Sequence, residues 1–178
     1  MRLILVTGQP GSGKTHLIRR LSAAVQSHPT QGFYSVEMRT DGRRSGFELV
    51  TLDGGRAVLA DIEGQGPKVG PYKVNLRSLA QVALPTLEPE KGVVYFVDEI
   101  GRMELLSKPF VEAVERLTSS HLPAMVIATI PLERPKEPLI LKMLRERGEL
   151  HKVTKTSRQA AFNDVAWRVE FLLETCDP

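Results

Sequence analysis

A single cysteine, Cys176, stands in 178 residues, so no internal disulfide can form and a reducing compartment is expected. No Cys/His cluster has metal-ligand spacing, and any metal is therefore expected to arrive with a ligand. Neither an eighteen-residue apolar run nor a signal-peptide pattern is present, so the expectation is no membrane association and a cytoplasmic location. Charge of one sign is also scarce. The net charge of +3 is spread along the chain, which implies no nucleic-acid partner. There is no internal repeat and no low-complexity segment. The remaining composition, 42% hydrophobic and 25% charged, is that of an ordinary globular protein, and the length predicts one domain over residues 1–178.

What is present begins at once. The stretch GQPGSGKT runs from Gly8 to Thr15, and the pattern G-x-x-x-x-G-K-[ST] binds phosphate when it joins a strand to a helix. Leu3–Val6 form the unbroken apolar run of a strand buried on both faces. Leu17, Ile18, Leu21, Ala24 and Val25 follow at helical spacing. Between them, Gly8, Gly11 and Gly13 let main-chain N–H groups face an anion, together with Gln9, Pro10 and Ser12. The helix start adds about half a positive charge. Lys14 is predicted to reach the β- and γ-phosphates, and the Thr15 hydroxyl to ligate magnesium.

Beyond this loop, short β-type runs at Phe33–Met38, Phe47–Leu52 and Ala57–Ala60 are separated by DGRRSG and DGG turns. They predict an antiparallel meander over about residues 31–72, inserted into the core and able to act as a lid. A helix is predicted over Asn75–Leu84, a buried strand in GVVYFVDEI, and a helix capped by Ser107 with Phe110, Val111, Val114 and Leu117 on one face. AMVIAT is a third buried strand. A helix over Leu139–Arg147, a short strand near Leu150–Val153, and a last helix with Phe162, Val165, Val169 and Leu172 on one side complete the chain. This alternation predicts an α/β fold with a mainly parallel sheet covered on both faces. Trp167, in that last helix, is read as packing rather than as a base-stacking platform. With no long heptad seam, the expectation is a monomer.

The second chemical motif is VVYFVDEIGRMEL. Asp98, at the end of an apolar strand, is positioned to hold magnesium. Glu99 follows it, placed to orient and deprotonate a water opposite a γ-phosphate. A kinase gains nothing from activating water, so the pair favours a hydrolase. Glu104 is a second candidate for the water. Arg102 is the first candidate to meet transition-state charge, with Arg39, Arg43, Arg44, Arg56 and Lys73 as others if the meander closes over the nucleotide.

Together GQPGSGKT, GFYSVEMR, GRRSGFELVTL, VGPYKVNL, VDEIGRMEL, ATIP and VTKTSR resemble, in content and order, the cancer-related nucleoside-triphosphatase family, which is also known from thermophiles. The resemblance spans nearly the whole chain. It implies a RecA-like P-loop core with extra antiparallel strands. It also implies slow, magnesium-dependent hydrolysis of ATP, GTP, CTP, UTP and their deoxy forms to diphosphates. The family's nucleotide-binding segments map onto Gly8–Thr15 and onto Val94, Tyr95, Phe96, Val97, Asp98, Glu99, Ile100 and Gly101. Two departures stand out. Arg102 replaces a frequent lysine, and Ser157 replaces a frequent asparagine before Arg158, which weakens the case for base contacts there. Two alternatives stay open: a kinase whose acceptor lies under the arginine-rich meander, and a regulatory module with incidental turnover.

Overall fold

The computed structural model describes residues 2–25 and 27–175; Cys176 lies outside the described residues. The apolar run at Leu3–Thr7 forms strand β1, with all five residues buried. Alternation along it feeds two cores. Leu3 and Leu5 join the core beneath one face of the sheet, and Ile4 and Val6 the core beneath the other. Helix α1 (Lys14–Ala24) covers the second face through Leu17, Ile18 and Leu21.

Strands β2 (Thr30–Thr40), β3 (Arg43–Thr51) and β4 (Arg56–Asp61) are the expected meander. A small hairpin of β5 (Lys68–Val69) and β6 (Tyr72–Val74) follows it. Next come β7 (Val94–Val97), β8 (Met125–Ile130) and β9 (Glu149–Lys152). One sheet results, in the order β5-β6-β4-β3-β2-β7-β8-β1-β9. The pairs β2–β7, β7–β8, β8–β1 and β1–β9 are parallel, and the pairs beyond β2 are antiparallel.

The meander extends the same sheet as the parallel core. Thr30–Phe33 of β2 pair in parallel with Val94–Val97, while Phe33–Thr40 pair antiparallel with β3. One long strand thus belongs to both halves. Sequence patterning shows where such strands lie but carries no signal for which neighbour they join.

The opposite face is covered by α3 (Lys108–Ser119) and α4 (Leu139–Arg147). Residues 76–87 add an irregular helical segment: one α-turn, α2 (Leu76–Ser78), then a π-helical stretch Leu79–Ala83, then a 3₁₀ turn Leu84–Leu87. The regular helix expected from Asn75 does start there, since the Asn75 side chain accepts from the Ser78 N–H at 3.1 Å. Pro85 lacks an N–H, so regular α hydrogen bonding cannot run on through it. Ser107 caps α3 as expected, accepting from the Phe110 N–H at 3.3 Å.

Helix α5 (Arg158–Glu174) buries Ala161, Val165, Val169 and Leu173, with Phe162 and Leu172 flanking the stripe. Trp167 is 63% exposed and stacks on Phe171 with ring centroids 5.6 Å apart. Among the described residues, no helix is long and apolar enough to cross a membrane.

Candidate active site

Strand β8 lies between β1 and β7. The loop leaving β1 and the acidic pair leaving β7 therefore flank the end of β8 at the carboxyl edge of the parallel strands, where open α/β sheets place their ligands. Gly13, the N-cap of α1, has φ of 107°, a left-handed angle that favours glycine. Lys14 is buried, and its Nζ donates to the Gly8 carbonyl at 3.1 Å, so the side chain folds back across its own loop. Ser12 Oγ is buried with no protein partner among the described residues. A buried hydroxyl left unpaired is costly, and a phosphate oxygen would satisfy it.

Arg158, the first residue of α5, braces the loop. Its Nε donates to the Ser12 carbonyl at 2.8 Å and its Nη2 to the Gly11 carbonyl at 2.7 Å. These contacts tie α5 to the loop, whose Ser12 N–H is taken by the Gln9 carbonyl at 3.0 Å. Arg158 has no recognisable signal beside the loop motif, because its partners lie 146 and 147 residues away. Ser157, beside it, closes a local turn: its Oγ accepts from the Thr154 N–H at 3.0 Å.

Val94–Val97 and Ile100 are buried in the two cores. They act as the strand that delivers Asp98. The Tyr95 hydroxyl accepts from the Glu90 N–H at 2.9 Å, remote in role from the loop. Asp98 is itself buried. Thr129, near the end of β8, donates its hydroxyl to Asp98 Oδ1 at 2.6 Å. Burial pushes the Asp98 carboxyl above its usual range, against hydrogen bonds from Thr129, Thr15 and the Ser35 amide and the charge of Lys14. A carboxylate and a hydroxyl, Asp98 and Thr15, are hard oxygen donors suited to magnesium. A cation beside Asp98 would offset the burial that now disfavours its charge. Among the described residues no cluster of three or more His, Cys, Asp or Glu side chains forms a complete cage.

The Asp98–Glu99 peptide bond is cis. Glu99 lines a cavity of about 450 Å³ together with Gly8, Gln9, Pro10 and Lys14. Burial raises the Glu99 pKa; the Lys14 charge opposes this and Asp98 adds to it. Glu104 lines the same cavity and is 5% exposed, and its Oε2 accepts from the Gly101 N–H at 3.1 Å. Burial, then the charge of Glu99, pushes its carboxyl up to about 8. Gly101 sits between the two acids. A Cβ there would lie 3.1 Å from Glu104 Oε2 and 3.3 Å from Glu99 Cδ.

Arg102 is exposed at the cavity mouth. The meander arginines do not line the cavity. Arg39 and Arg44 pair with Glu37, and Arg56 with Glu48 at 2.8 Å. What the meander brings to the cavity is apolar: Phe47, Leu59 and, from the hairpin, Val69. The β-propensity that builds these strands turns their aromatic and aliphatic side chains inward, and Arg44, tied to Glu37, lies over the Phe47 ring at 5.6 Å from its centroid.

Known proteins agree with this geometry. Residues 3–166 match the family model described as NTPase. A nucleoside-triphosphatase THEP1 of Thermotoga sp. (strain RQ2) is 38% identical, covering 94% of this chain and 95% of the relative. The cancer-related nucleoside-triphosphatase of Homo sapiens is 37% identical, covering 95% of this chain and 97% of the relative. The solution structure of a human cancer-related nucleoside triphosphatase superposes with a TM-score of 0.82 at 36% identity, covering 96% of this chain and 98% of that one. The crystal structure of THEP1 from Aquifex aeolicus gives 0.81 at 31% identity, covering 92% and 96%. Matched by the family model over residues 3–166 and by relatives along nearly their whole length, the chain belongs to the nucleoside-triphosphatase (NTPase) family.

Proposed function

We propose that this protein hydrolyses nucleoside 5′-triphosphates (ATP, GTP, CTP, UTP and the deoxy forms) to diphosphate and phosphate, slowly and with magnesium. The observation that carries this reading is the Glu99 carboxylate facing the same cavity as Lys14. Loop amides and Lys14 bind the β- and γ-phosphates, and Arg158 braces the loop. Thr15 and Asp98 would hold magnesium, which supplies charge neutralisation on the phosphates when bound. Glu99 orients a water and accepts its proton as the water oxygen bonds to Pγ and the bridging Pγ–O bond breaks, releasing diphosphate.

Broad base specificity follows from a site whose named contacts are all to phosphate. The N/T-K-x-D signature of guanine-specific switches does not occur, and the Ser157 hydroxyl is engaged within its own turn. Of the two exposed arginines that line the cavity, Arg102 and Arg134, Arg102 is the cation assigned to the transition state. Its exposure at the mouth fits slow turnover, since a preorganised cation contributes more than a mobile one. The reading takes the protein as a single-domain monomer. The test is phosphate and diphosphate release from a panel of ribo- and deoxyribonucleotides with magnesium, for the wild type and Lys14→Ala. Comparable rates across bases, lost in the variant, support the reading. Activity toward one base alone, or activity that survives the variant, contradicts it.

A further inference from the structure

The cavity at Glu99, about 450 Å³, runs beyond the phosphate loop to Phe47, Leu59, Val69, Leu132 and Arg134. It also does not end at the acids. Val69, Arg102, Pro131, Leu132 and Arg134 line both this cavity and a second one of about 480 Å³ beside α4, so the two adjoin along these residues. Either volume falls in the range of small-molecule sites.

The two halves differ in charge. In the inner half, Lys14, Arg102 and Arg134 face Glu99, Glu104 and Glu133. The outer half is lined by Lys68, Arg102, Arg134 and Lys136, and its one carboxylate is Glu137. That carboxylate is already taken: Arg145 Nε donates to both Glu137 oxygens, at 3.2 and 3.3 Å, with both side chains largely buried. Among the described residues, no ion pair engages Lys68, Arg102, Arg134 or Lys136, and all four are exposed. Apolar walls from Phe47, Leu59, Val69 and Leu132 join the acidic end to the cationic end. Such a cleft fits a molecule with a hydroxyl at one end, an apolar or neutral middle and an anion at the other.

We propose that this double cavity is a second-substrate site for a small hydroxyl-bearing phosphomonoester. Its phosphate lies among Lys68, Arg134 and Lys136, and its hydroxyl lies at Glu99. The reaction is phosphoryl transfer in competition with hydrolysis. The acceptor oxygen bonds to Pγ, the bridging Pγ–O bond breaks, diphosphate leaves and the hydroxyl proton passes to Glu99. This rests on the reading above, that the γ-phosphoryl lies against Lys14 with Glu99 as base. Phosphoryl chemistry is the same whether the attacking oxygen belongs to water or to an alcohol, and the cleft decides which one arrives.

The test incubates the full chain with magnesium and ATP, adding either glycerol 3-phosphate or adenosine 3′-monophosphate. ADP and phosphate are measured separately, and new phosphomonoesters by phosphorus NMR. The expected result is ADP in excess of phosphate and a new product with at least one of the two. The double change Lys68→Ala, Lys136→Ala then raises the KM for that acceptor about tenfold or more, the loss of at least one charge-assisted contact. Probe-free hydrolysis stays within about twofold. A one-to-one ratio of ADP to phosphate with both probes overturns the proposal while leaving hydrolysis in place. So does saturable inhibition without a product. Transfer to the 5′-hydroxyl of an oligonucleotide, with neither small probe accepted, also overturns it. Absence of phosphate release from every triphosphate without a probe instead overturns the hydrolase reading.

Discussion

Glu104 holds a proton that an exposed glutamate would have released. Its pKa rises from 4.5 to about 8, by burial first and the Glu99 charge second. The folded state therefore binds one more proton than the unfolded state between those values. The resulting stability is complete below pH 4.5, falls as the pH rises through about 8 and is flat beyond. Glu104→Gln keeps an acceptor for the Gly101 N–H but cannot ionise. The melting temperature of the wild type is expected to fall relative to this variant between pH 5 and 9. A difference that does not change with pH would show that Glu104 ionises freely. Arg158 makes a second prediction at this scale. Arg158→Ala removes two charge-assisted contacts to the Ser12 and Gly11 carbonyls, each bond of that kind contributing about 1.5–3 kcal/mol. Magnesium–diphosphate binding by calorimetry is expected to weaken at least tenfold, and unchanged affinity would make Arg158 a mere surface contact. The loop motif and the Asp98–Glu99 pair were legible as strings because their chemistry is local. Arg158 and Thr129 stand in the stretches VTKTSR and ATIP, but their roles were not legible, since each reaches its partner only through the fold.

The elements were read more surely than their neighbours. Helix α4 runs over Leu139–Arg147 as its periodicity predicts, and Ser107 caps α3. Replacing that cap with alanine is expected to cost about 1 kcal/mol, or roughly 2–4 °C in melting temperature for a chain of this size. Thermal unfolding of Ser107→Ala measures this, and an unchanged midpoint would mean that the backbone alone terminates the helix. Two elements escaped the sequence. Pro85 turns the predicted helix from Asn75 into α, π and 3₁₀ pieces. The residues Tyr72–Val74, just before it, pair with Lys68–Val69 as a hairpin too short to show alternation. The meander was visible strand by strand, yet its continuity with the parallel core depends on β2 pairing with β7. That partner lies more than fifty residues away in sequence, and no periodicity encodes it.

At the scale of the whole molecule, one sheet carries both the phosphate loop and the apolar wall opposite it. A ligand held by the loop therefore stabilises the entire fold. At a hundred times its Kd, magnesium–ADP should add about 2.7 kcal/mol, roughly 5–10 °C in melting temperature. Lys14→Ala should abolish that shift. An equal shift in this variant would place the nucleotide elsewhere. The most direct test of the central claim separates chemistry from binding at Glu99. Single-turnover phosphate release and magnesium–nucleotide affinity are measured side by side for the wild type and Glu99→Gln. Loss of about a hundredfold or more in the chemical step, from the lower end of the range for a positioned acid–base group upward, with affinity kept within a few-fold, is the predicted result. An unchanged rate would contradict the assignment of Glu99 as the base.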